Sequence, residues 1–110
     1  MNVVVEQTML YDFYGELLTE HQKEIYEDVV LQDYSISEVA EEKGISRQGV
    51  HDLIRRCDRI LAGYEEKLHL VEKFRHAKQE VSRIEQLAKE SGTQPDEEIA
   101  RIARELLETF

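Results

Sequence analysis

The 110-residue chain is long enough for one small domain, with or without an appendage, and its 41% apolar content supports a modest core. A net charge of −10 argues against indiscriminate nucleic-acid binding, a single cysteine excludes an internal disulfide, and no apolar run approaches the ~20 residues that span a bilayer. Because the start, MNVVVEQ, lacks the basic segment of a secretory leader, a cytoplasmic protein without membrane insertion is expected.

One proline, no tryptophan and 35% charged residues favour helices, and without any strand signal the expected class is all-α. A first helix is expected over Val4 to Leu17, where Leu10, Phe13, Tyr14 and Leu17 share one face and Gly15 weakens the end. Thr19 and Gln22 form a T-x-x-Q capping box for a second helix, whose buried stripe is Ile25, Tyr26, Val29 and Val30 and whose end falls near Asp33. Ser35 and Glu38 form another box and open a third helix, with Ile36, Val39 and Ala40 facing inward.

That third helix begins the most informative stretch, SISEVAEEKGISRQGVHDLIRR, residues 35–56. Ala40 is small enough for a close helix crossing, Gly44 supplies the positive φ of a sharp turn, and Val50 plugs the angle between two helices. Ile45 is expected to insert at the turn and Ser46 to cap the next helix. The pattern predicts a helix-turn-helix.

From Val50 the apolar residues run through Ile54, Cys57, Leu61, Tyr64, Leu68 and Val71, a heptad seam. Gly63 is the expected place for a kink, at about 1 kcal/mol relative to alanine in a helix interior. The stripe slips between Leu68 and Phe74, which predicts a bend or a new helix near residues 69–75, followed by the series Phe74, Ala77, Val81, Ile84 and Ala88. SGTQP at 91–95 reads as a stop and restart. A last helix, with Ile99, Ile102, Ala103, Leu106, Leu107 and Phe110 on one face, is expected to fold back as a hairpin. The expected organisation is a helix-turn-helix domain over 1–62 and an elongated helical extension over 63–110. The extension carries more apolar stripe than a thin hairpin hides. Either it pairs two copies into a homodimer or it packs back on the N-terminal helices.

Charge is unevenly spread. Residues 1–45 carry eleven acids and two lysines, −9; residues 46–59 carry four arginines and two aspartates, +2; residues 60–110 carry eleven acids and eight bases, −3. The only positive segment is therefore the expected recognition helix, and arginine suits bidentate contact with phosphate or guanine. Its outward face holds Arg47, Gln48, His51, Asp52, Arg55, Arg56 and Arg59. Arg47 and Gln48 are placed to read base edges, Ser46 and the helix start to meet a phosphate, and Arg55, Arg56 and Arg59 to contact backbone. Asp52 either accepts from cytosine or repels phosphate, and Gly49 weakens the helix. A protein-docking surface on an inherited fold is the competing reading.

Neither catalysis nor a cofactor is expected. His21, His51, His69 and His76 lie on separate segments without metal-ligand spacing, Cys57 sits on the apolar seam as an inert thiol, and no glycine-rich phosphate loop is present.

The tract LLTEHQKEIYEDVVLQDYSISEVAEEKGISRQGVHDLIRRCDRILAGYEEKLHL closely resembles the YlxM family of small bacterial proteins, with similarity from about Thr8 to Leu70. More distantly, residues 18–60 resemble region four of bacterial sigma factors, which reads a promoter element with its recognition helix. ISRQGVHDLIRR is the specific part of the likeness. The family is linked to the signal recognition particle pathway, largely through genes adjoining that of the particle's GTPase. The resemblance thus implies either a DNA-binding regulator or an accessory that contacts the particle's RNA or GTPases. The sigma-like likeness carries base reading to Arg47, Gln48 and His51, and backbone contacts to Arg55 and Arg56. Asp52, Gly49 and the acidic N-terminal half depart from a strongly basic DNA binder.

Overall fold

A computed structural model describes residues 3–90 and 97–108, without the side chains of 88, 89 and 97–100. Among the described residues there are six α-helices and no strand: α1 (Val3–Tyr14), α2 (Glu20–Tyr26), α3 (Ile36–Lys43), α4 (Arg47–Leu68), α5 (Leu70–Glu90) and α6 (Glu97–Glu108). The chain divides into two compact units, Met1–Leu68 and His69–Phe110.

In the first unit, local capping chemistry sets the helix starts. Thr19 and Gln22 form the complete reciprocal box before α2, with backbone-to-side-chain bonds of 3.0 and 3.2 Å. Ser35 Oγ accepts from the Glu38 amide at 3.1 Å to open α3, while its hydroxyl meets the Glu38 carboxylate. The ends are less regular than the sequence predicts. α1 stops at Tyr14 and tightens into a 3₁₀ turn over Gly15–Leu17. The tightening leaves Leu17 55% exposed and buries Leu18 in its place, which corrects the expected Val4–Leu17 face. After Tyr26 the second helix widens into a π segment, Glu27–Leu31, and the chain then reverses at Asp33, whose φ is +59°.

α1, α2 and α3 all pack against α4. Ile25, Val39, Ala40 and Val50 form the buried centre, with Val29, Ile36, Ile45, Leu53 and Ile54 closing around it. Farther along α4, Cys57 and Leu61 are fully buried, Tyr14 stacks on Tyr64 at 6.0 Å, and Tyr11 stacks on Tyr26 at 5.4 Å. The front of the heptad seam is therefore covered by the chain's own N-terminal helices. Three polar contacts fix the register of α1 and α2 on their partners. Tyr26 donates to Asp58 at 2.7 Å, Tyr14 donates to Glu65 at 2.6 Å, and Tyr11 donates to Glu27. Burial, then the Asp58 carboxylate, push the Tyr26 hydroxyl well above its ordinary 10.0.

The expected break at Gly63 is absent: α4 runs through it without interruption, because the surrounding packing outweighs one glycine's helix cost. The helix ends instead after Leu68, at His69, which adopts φ +57°. The division between units falls there, six residues beyond the expected 62/63 boundary.

The second unit is α5 and α6, which touch one another. Val71 is buried, but Ile84, Leu87, Ile102 and Leu106 are each more than half exposed. The expected SGTQP stop lies outside the described residues, as do Ile99 and Phe110 of the expected apolar face for their side chains.

Candidate nucleic-acid interface

The turn between α3 and α4 is built by Gly44 at φ +70°, a left-handed conformation open to glycine at little cost. The Gly44 amide bonds Glu41 O at 3.4 Å and the Ile45 amide reaches back to Ala40 O at 3.1 Å, so the last carbonyls of α3 are satisfied. Ala40 and Val50 are buried where the helices cross, as the sequence predicts, and Ile45 packs against them. Ser46 Oγ then accepts from the Gly49 amide at 2.9 Å and caps α4. Gly49 has a local reason: a Cβ there would lie 3.1 Å from that same Ser46 Oγ.

The first three turns of α4 carry the residues singled out from sequence. Ser46, Arg47, Gln48, His51, Asp52, Arg55, Arg56 and Arg59 are all exposed. They sit on a helix whose opposite side is clamped by three others, so the presenting backbone is rigid. Gln48 Nε2 donates to Asp52 Oδ1 at 3.0 Å, one turn along, a pairing the i, i+4 spacing made available but the sequence reading did not use.

Electrostatics separates this face from the rest of the unit. Lys23 is held by Glu16 at 3.2 Å and Glu20 at 3.8 Å, and Lys43 by Glu24 at 3.1 Å; in each case the carboxylate raises the lysine's pKa. Arg47, Arg55, Arg56 and Arg59, by contrast, form no ion pair with any described residue. Asp58, counted against them in the sequence balance, is turned inward. Both its oxygens accept from Gln7 Nε2 at 3.1 Å, and one also accepts from Tyr26. The outward face therefore carries four guanidiniums against the single carboxylate of Asp52.

Cys57 lies on the buried side of α4, where burial, then Asp58, push its thiol up to about 11. Among the described residues, no three His, Cys, Asp or Glu side chains are placed to hold a metal ion. No helix among them is long and apolar enough to cross a membrane.

Comparison with known proteins agrees with this geometry. Residues 1–102 match the family model described as "Putative helix-turn-helix protein, YlxM / p13 like" (UPF0122). The chain is 42% identical over 107 residues to a UPF0122 protein of Thermoanaerobacter sp. strain X514, covering 90% of this chain and 92% of that protein. It is 42% identical over 97 residues to UPF0122 protein YlxM of Bacillus subtilis strain 168, covering 88% and 86%. A UPF0122 protein of Geobacillus kaustophilus is 41% identical over 108 residues, covering 94% and 96%. The chain belongs to the UPF0122 family, the YlxM/p13-like helix-turn-helix proteins.

Proposed function

We propose that the protein is a regulatory nucleic-acid-binding protein that inserts the N-terminal half of α4 into the major groove of DNA. The observation that carries this reading is the gathering of Arg47, Arg55, Arg56 and Arg59 on one exposed face of the helix that follows the turn, without an ion pair among the described residues, in a chain whose net charge is −10. Arg47 and Gln48 read base edges from the first turn, with His51 beside them, and Ser46 meets a phosphate at the helix start. Arg55, Arg56 and Arg59 contact the backbone farther along.

The exposed apolar residues of α5 and α6 pair two copies of the chain, giving a homodimer built of a helix-turn-helix domain and a dimerisation extension. Charge opposes pairing less there than in the first unit: residues 69–110 carry nine acids and seven bases, −2, whereas residues 1–68 carry fifteen and seven, −8. Two weak DNA contacts held together offset the unfavourable net charge. A second reading is favoured by the acidity of the first unit: an accessory, cytoplasmic like the first, that contacts the RNA or the GTPases of the signal recognition particle machinery instead of DNA.

Selection of binding sites from random duplex DNA tests the proposal. The wild-type protein should enrich a motif made of two inverted half-sites. Arg47→Ala should lose about 1–3 kcal/mol and relax preference at one base pair, while Arg55→Ala should weaken all sequences alike. A protein that enriches no duplex motif is not a sequence-specific DNA binder, and a motif with a single half-site contradicts pairing on DNA.

A further inference from the structure

Beside the outward face of α4 lies a cleft of about 350 Å³, lined by Thr19, which caps α2, by His21 and Gln22 of α2, and by Gly49, Asp52, Leu53 and Arg56 of α4. We propose that this cleft seats a backbone phosphodiester of the bound nucleic acid, held by Arg56 together with His21 and Gln22. The inference rests on the reading of α4 as a groove-binding helix and adds α2 to the contact surface.

Three observations carry it. The first is position. A helix lying in the major groove is flanked on both sides by sugar-phosphate backbone. Asp52 and Arg56 lie at the edge of the outward face that turns toward α2, so a surface continuing past them meets one of the two strands.

The second is the inventory of hydrogen-bonding groups left free. Gln22 Oε1 is spent on the Thr19 amide, which leaves Gln22 Nε2 as a donor. The Thr19 hydroxyl oxygen accepts from the Gln22 amide, which leaves its O–H to donate. The Arg56 guanidinium has no carboxylate partner among the described residues, and the His21 imidazole offers an N–H. A phosphodiester presents acceptors only, and this cleft presents mostly donors.

The third is the fate of the nearby acids. Asp52, the carboxylate in the lining, is bonded to Gln48 Nε2 at 3.0 Å, and Glu20 is drawn to Lys23 at 3.8 Å. The repulsion that Asp52 threatens in the sequence is thereby softened, and the same bond orients the Gln48 amide for base reading.

The test uses a duplex selected by the wild-type protein, with each flanking phosphate replaced in turn by a neutral methylphosphonate. One replacement should weaken the wild type and leave His21→Ala and Arg56→Ala little further affected. His21→Ala should bind about fivefold more weakly, about one net hydrogen bond, with an unchanged sequence preference. Arg56→Ala should also shallow the slope of log affinity on log salt by about 0.9. His21 is exposed, so its truncation leaves the fold intact. A wild type that selects a duplex while His21→Ala binds it with equal affinity overturns the phosphate seat and leaves the α4 reading standing. A wild type that selects no duplex overturns both.

Discussion

Asp58 shows how one side chain's direction changes the meaning of a charge count. By sequence it cancels one arginine of the recognition helix. In the fold it accepts from Tyr26 and Gln7, tying α1 and α2 to α4. Tyr26 is completely buried, so loss of this acceptor strands its hydroxyl away from water. Asp58→Ala should therefore destabilise the protein by about 1–3 kcal/mol in equilibrium denaturation, whereas Asp58→Asn, which keeps a carbonyl acceptor, should retain most of the stability. Equal losses in both would mean that the carboxylate's charge, and not its hydrogen bonds, holds the helices. The inward turn of Asp58 was not legible from spacing, because it depends on where the rings of α2 arrive in space. The outward set was legible: Gln48, Arg55 and Arg59 lie opposite Val50 and Cys57 on any regular helix, His51 and Arg56 flank them, Arg47 projects from the first turn, and all six are exposed. The cleft that His21 lines was not legible, because its other wall comes from α4, some thirty residues along the chain.

Elements were readable where local chemistry decides them. The caps at Thr19, Ser35 and Ser46 and the left-handed turn at Gly44 each need only a few consecutive residues, and each forms, although at Ser35 the Glu38 carboxylate meets the hydroxyl in place of the backbone N–H of a full capping box. Endings decided by packing were not readable. The 3₁₀ turn after Tyr14 and the π segment after Tyr26 leave no periodicity signal. The unbroken run of α4 through Gly63 was not legible for the same reason, since propensity is a weak term beside the burial of Leu61 and its neighbours. The two glycines of this region predict opposite outcomes for one substitution. A Cβ at either position meets no atom within 4 Å, so the backbone alone sets the sign. Gly44→Ala, at φ +70°, should cost about 1–2 kcal/mol. Gly63→Ala, inside a continuous helix, should stabilise by up to about 1 kcal/mol. Thermal or denaturant unfolding of the two variants checks both signs, and a stabilising Gly44→Ala would contradict the turn geometry.

At the scale of the whole molecule, the proposed function sets an acidic protein against a polyanionic partner. Charges are segregated in the way that proposal needs: the lysines of α2 and α3 pair with carboxylates of the acidic surface, and the arginines of α4 form no ion pair among the described residues. On that proposal, long-range repulsion from fifteen carboxylates in residues 1–68 would lower affinity without regard to sequence, and binding would depend on docking the α4 face in register. Such a protein should bind tightly only where base contacts add to phosphate contacts, and weakly elsewhere. This makes the location of contact the central claim. The most direct measurement is an amide NMR titration of the full chain with duplex DNA at low salt. Perturbations are predicted to concentrate on residues 46–59 and on the start of α2, sparing α3 and the outer face of α1. Perturbations confined to the acidic surface or to α5 and α6, with residues 46–59 unmoved, would contradict the assignment of α4 as the reading helix.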